Sequence, residues 1–193
     1  MIKTITVVPR ICIEDMIKYK QKPFENWALI SLWSEKELLT QSNTEVLKEL
    51  SCKNMISIRF TDLTKDEYDR VKDEYERTKK SRKNIILFEQ QHARTIIDFI
   101  DEIKNNVDEL VVHCHAGISR SGAVGLFICR YLQLDENEFR QLNAGIGPNF
   151  YILSVLNEES GINVGYVEFW KNHKKEEIER MRQMMMKNQF QIF

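Results

Sequence analysis

The chain has 193 residues, 42% of them hydrophobic, and a formal net charge of −1 at pH 7. That is enough apolar material for a domain with a real core, and it excludes a disordered chain. The balanced charge gives no reason to expect nucleic acid or a membrane surface as partner, and the four cysteines lack paired spacing, which predicts a reducing, cytoplasmic setting.

Residues 2–8 read as a first strand, an apolar run too short for a signal peptide and ended by Pro9. Residues 14–20 suit a short helix that stops near Pro23, and residues 27–33 an apolar strand buried on both faces. Asn43 is placed to cap a helix whose Val46, Leu47 and Leu50 turn inward. Ile56, Ile58 and Phe60 alternate with Ser57 and Arg59, the period of a strand. Residues 64–80 are very charged: Thr64 and Glu67 make a capping box, and Tyr68, Val71 and Tyr75 form the one apolar stripe, as in a surface helix or a lid. Ala93, Ile96, Ile97, Ile100 and Ile103 recur at helical spacing. Residues 110–113 are the next strand, and residues 121–132 the helix after it. Asp135 and Glu138 open a helix ending near Gly145, and Pro148 suits the first turn of a helix over 149–156.

This alternation predicts an α/β fold, a central, mostly parallel sheet flanked by helices. One domain over residues 1–160 is expected, followed by a charged segment, 161–193, packed back as a helix. No stretch has the length of a membrane span.

Chemistry concentrates in residues 113–122, which read His-Cys-His-Ala-Gly-Ile-Ser-Arg-Ser-Gly. The segment joins a buried strand to a helix of small residues. Its loop, 115–120, presents successive backbone N–H groups to one point, and the helix N-terminus adds positive potential, so the turn suits an anion. Gly117 supplies a backbone angle that other residues resist. Arg120 can hold two phosphate oxygens at once. The same field favours the Cys114 thiolate, and Ser121 places a hydroxyl near the sulfur.

His-Cys-x-x-Gly-x-x-Arg-Ser resembles the signature of the cysteine-dependent protein tyrosine phosphatase superfamily, and its wording here that of the small dual-specificity-like branch. The resemblance implies a tyrosine-phosphatase-like fold and hydrolysis of phosphate monoesters through a phosphocysteine, with no cofactor or metal. It makes Cys114 the nucleophile and Arg120 the phosphate ligand that stabilises the transition state. Ser121 then assists breakdown of the intermediate, His113 supports the loop from behind, and His115, Ala116, Gly117, Ile118 and Ser119 complete the cradle. The stretch Gly147-Pro148-Asn149-Phe150 is similar to a Pro-Asn segment downstream of the signature in dual-specificity phosphatases.

The family's general acid is an aspartate on a loop upstream of the signature. Asp62 follows the strand ending at Phe60, and in a parallel sheet the carboxyl ends of strands share one rim. Asp62 is therefore the expected acid, with Asp66, Asp69 and Asp73 as alternatives. His113, Cys114 and His115 are poorly placed to share a metal, because adjacent strand residues point to opposite faces. Cys129 reads as a packing residue, and Trp33 and Ser34, at a strand end, as core or pocket rim. The loop adds only Arg120 as a cation, which favours a phosphoprotein or a simple aryl phosphate as substrate. A phosphate-binding module without turnover and a rhodanese-like sulfurtransferase are the alternatives.

Overall fold

The structure, a computed structural model, describes residues 1–78 and 85–162. Its elements run β1 (Thr4–Pro9), α1 (Arg10–Tyr19), β2 (Trp27–Trp33), α2 (Gln41–Glu49), β3 (Cys52–Arg59), α3 (Lys65–Thr78), α4 (Gln90–Ile103), β4 (Glu109–Cys114), α5 (Arg120–Tyr131), α6 (Glu136–Leu142) and α7 (Phe150–Ser160). The strands pair in the order β1-β4-β2-β3, every pair parallel. The expected α/β architecture is present, and among the described residues the sheet is wholly parallel.

Parallel neighbours cannot be joined by a tight hairpin, so helices cross between strands and cover both faces. Alternation along β2 and β4 divides the core accordingly. Ala28, Ile30, Leu32, Leu110, Val112 and Cys114 belong to one apolar cluster with residues of α4, α5 and α7. Trp27, Leu29 and Val111 belong to another with Ile13 of α1 and Leu47 of α2. Gly125 lets α5 press against β1, since a Cβ there would lie 2.8 Å from Val7 Cγ2.

The register lines up the strand ends that matter. Pro9 lies opposite Cys114, Ser31 opposite His113, and Trp33 opposite Arg59. The carboxyl ends of all four strands thus share one rim, where open parallel sheets bind ligands.

Four local readings are corrected. α1 begins at Arg10, directly after Pro9, rather than at Glu14; burial of Ile13 holds this earlier turn against the sheet. Thr40, not Asn43, caps α2: its side chain accepts from Asn43 N at 3.3 Å. β3 starts at Cys52, because pairing with Trp27 extends it upstream. Pro148 precedes the N-cap of α7 instead of lying in its first turn; Asn149 is the cap, accepting from Tyr151 N and Ile152 N. The capping box of Thr64 and Glu67 and the Asp135 cap form as expected. Of the C-terminal segment expected over 161–193, everything beyond residue 162 lies outside the described residues.

Candidate active site

Cys114 closes β4 and is 2% exposed, with its sulfur at the floor of the loop that leads into α5. Gly117 turns this loop with φ +70°, and a Cβ there would lie 2.4 Å from Pro9 N. The loop therefore rests directly on the junction of β1 and α1. Arg10 N donates to His115 O at 3.2 Å and adds a second tie between the two turns.

Ser121 Oγ lies 3.1 Å from Cys114 Sγ. Burial pushes the Cys114 thiol up. The hydrogen bond with Ser121, the backbone N–H groups of Ser121 and Ile118, and the Arg120 charge outweigh burial, and the net direction is downward. The other two buried thiols go the opposite way: burial raises Cys52 to about 12 and Cys129 to about 11. Cys129 is fully buried on α5 and packs in the core as expected.

Arg120 is 5% exposed and donates from Nη1 to Phe60 O at 3.1 Å, so the end of β3 aims it. Its buried Nε has no hydrogen-bond partner among the described residues. Asp62 Oδ2 lies 4.0 Å from that nitrogen. A phosphate oxygen is a partner of the right charge for such a donor.

Asp62 sits on the rim beyond β3. Its Oδ1 accepts from Ser119 Oγ at 2.9 Å and from Asn149 Nδ2 at 2.9 Å. Main-chain bonds place its neighbours: Phe60 N donates to Trp33 O at 2.9 Å and Thr61 N to Ile86 O at 2.7 Å. Asn149 N also donates to Ser119 O, and Gly147 N to Ile118 O, both at 3.2 Å. The turn before α7 is thus bound to the loop that leads into α5 and to the carboxylate together. Asp66, Asp69 and Asp73 lie on α3.

His113 is buried behind the loop, with Nε2 2.8 Å from Ser31 Oγ. Burial, aided by the Arg10 and Arg120 charges, lowers its pKa to about 4, so the ring is neutral at physiological pH. His115, Ala116 and Ile118 are exposed on the outer loop. Trp33 and Ser34 line a cavity beside Arg120 and His115, as a rim position implies. Among the described residues there is no cluster of three or more His, Cys, Asp or Glu side chains able to hold a metal ion.

The structure therefore brings Cys114, Arg120, Ser121, Asp62 and Ser119 together, with His113 beneath. Sequence reasoning named no role for three residues that complete the arrangement. Ser31 braces His113, Asn149 holds Asp62, and Arg10 borders the cavity. Arg10 follows the carboxyl end of a parallel strand, so the rim argument used for Asp62 applied to it as well. Asn149 carried a signal in its Pro-Asn context. Ser31, inside an apolar run, carried none.

No family model matches the chain. Dual specificity protein phosphatase 1-A of Xenopus laevis is 45% identical over 65 residues, which are 31% of this chain and 18% of that protein. Human dual specificity protein phosphatase 1 is 46% identical over 65 residues, with the same shares of each chain. The similarity thus spans less than a fifth of either of these two relatives. Among solved structures, Tk-PTP in its active form superposes with a TM-score of 0.50 at 16% identity, covering 82% of this chain and 92% of that one.

Proposed function

We propose that this chain belongs to the cysteine-dependent protein tyrosine phosphatase superfamily, in its dual-specificity-like branch, and hydrolyses phosphate monoesters of proteins through a phosphocysteine, a reading supported by its fold and signature segment. One observation carries the proposal. A thiol lowered in pKa lies in a loop closed by a buried arginine, and the same loop holds a carboxylate.

The chemistry follows from the geometry. Arg120 and the loop N–H groups of residues 115–120 take the nonbridging phosphate oxygens. The Cys114 thiolate attacks phosphorus in line; a P–S bond forms and the ester P–O bond breaks. Asp62 serves as general acid and delivers a proton to the departing oxygen. Charge on the equatorial oxygens is met by donors already in place, the largest source of acceleration. Water then attacks phosphorus, Asp62 takes its proton, and the P–S bond breaks. Ser121 stabilises the thiolate as it leaves, through the contact of 3.1 Å. No step calls on a metal.

Free cysteines and a thiolate mechanism suit the cytoplasm, and no helix among the described residues is long and apolar enough to cross a membrane. We read residues 1–160 as the phosphatase domain.

Hydrolysis of para-nitrophenyl phosphate and of a phosphotyrosine peptide, with EDTA present, tests the proposal. Cys114→Ser should abolish turnover, and Asp62→Ala should lower kcat about a hundredfold on the peptide and by less on para-nitrophenyl phosphate, whose leaving group needs less protonation. Phosphate binding without turnover of either substrate by the wild type would overturn the reading in favour of a binding module. Faster turnover of thiosulfate would favour the sulfurtransferase.

A further inference from the structure

A cavity of about 390 Å³ opens beside the phosphate loop, between α1 and the segment after β2. Arg10, Glu14, Trp33, Glu35 and Lys36 wall it, and it reaches His115 and Arg120. A second depression of about 250 Å³ shares Arg10, Glu14 and Lys36 with the first and continues past Leu38 to Thr40 and Asn43. Arg10, Glu14 and Lys36 stand between the two, and the first forms a groove beside α1 that reaches Arg120.

Arg10 is the fixed point of this groove. Nε donates to Glu14 Oε1 at 2.7 Å, Nη1 donates to Lys36 O, and the side chain is only 14% exposed. These bonds set the guanidinium plane and leave Nη2 with no hydrogen-bond partner among the described residues. A planar donor held in this way loses little entropy when it meets an acceptor.

The wall also carries the opposite charge. The hydrogen bond from Arg10 holds the Glu14 carboxyl below the usual carboxylate range, and Glu35 stands beside it. Glu14 is ion-paired with Arg10, and with Glu35, Lys36 and Arg120 the wall carries both signs, which suits alternating main-chain donors and acceptors better than a compact polyanion such as an inositol polyphosphate. A polypeptide fits the same wall. Its carbonyls accept from Arg10, its N–H groups find the carboxylates, and its side chains find Leu32 and Trp33.

We propose that this groove holds the polypeptide flanking the phosphorylated residue of a phosphoprotein substrate, with Arg10 and Lys36 as specificity-determining residues. The proposal rests on the phosphatase reading above. Arg10 Nη2 donates to a main-chain carbonyl of the substrate, and the groove adds contacts that a phosphate bearing only an aryl ring does not reach.

The test is the ratio of kcat/KM for a phosphotyrosine peptide to that for para-nitrophenyl phosphate. Arg10→Ala should lower this ratio about tenfold, the loss of one hydrogen bond from a charged donor. Lys36→Ala, at an exposed position, should lower it about threefold, and it carries the test if Arg10→Ala fails to fold. A ratio unchanged in Lys36→Ala and in folded Arg10→Ala overturns the groove and leaves the phosphatase reading standing. A parallel fall on both substrates also overturns it, because Arg10 would then act only as a brace of the loop. Inositol hexakisphosphate turned over faster than the peptide, in an Arg10-dependent way, overturns the choice of polypeptide. Wild-type protein inert on every substrate takes down the phosphatase reading itself.

Discussion

Asn149 Nδ2 lies 2.9 Å from Asp62 Oδ1, a bond across 87 positions of sequence that places a carboxylate over the phosphate loop. Ser119 Oγ donates to the same oxygen at 2.9 Å, so Oδ2 is the oxygen left facing Arg120, 4.0 Å away. The carboxylate is thus held by one oxygen, while the other stays free for the proton transfer proposed for it.

Removing that hold should slow proton delivery rather than attack. Asn149→Ala is expected to lower kcat on an alkyl phosphate about tenfold, and on para-nitrophenyl phosphate by less, since a good leaving group needs little protonation. Steady-state kinetics on the two esters check this. Equal loss on both would mean that Asn149 acts through the cap it gives α7, where its side chain accepts from Tyr151 N and Ile152 N, and not through Asp62.

Ser121→Ala removes the hydroxyl that helps to hold the Cys114 thiol down. The thiol pKa should rise, which moves the midpoint of iodoacetamide inactivation to higher pH. Breakdown of the phosphocysteine should also slow, giving a burst of para-nitrophenol ahead of a reduced steady rate. An inactivation profile identical to wild type would remove Ser121 from this role.

Gly117→Ala forces a side chain into a left-handed turn, with its Cβ 2.4 Å from Pro9 N and 2.6 Å from Val8 C. The loop must lift from β1, and misplacement of about 1 Å costs on the order of a hundredfold in rate. The strain itself costs about 1–3 kcal/mol. Kinetics and thermal melting measure both, and a variant with near-normal kcat would show that the loop does not depend on this contact.

His113 is buried neutral, its pKa lowered by burial to about 4 against an ordinary 6.5. The unfolded chain therefore binds a proton that the folded chain does not between those values. Stability should fall as pH drops from about 6.5 to about 4, by up to ~3 kcal/mol from this group. Urea unfolding across that window, wild type against His113→Gln, isolates the effect. Parallel curves for the two proteins would assign the acid sensitivity to carboxylates.

Whatever depends on neighbours along the chain is legible in the residues themselves. Cys114, Gly117, Arg120 and Ser121 lie within one strand-loop-helix segment, so their spacing alone implies a turn that gathers N–H groups around a thiol. Thr64 with Glu67, and Asp135 with the N–H groups after it, are caps read over a few residues, and they form as expected. The alternation of apolar strands and amphipathic helices implied the parallel sheet, and hence the rim on which Asp62 stands. Contacts that cross between elements come from packing instead. Phe60 O aims Arg120, Asn149 and Ser119 fix Asp62, Ser31 braces His113, and Arg10 enters the cavity wall. These partners depend on strand register and on how closely α5 and α7 settle on the sheet. Each pair joins residues whose local sequence would be equally content without the other, so only the packed fold distinguishes a partner from a bystander.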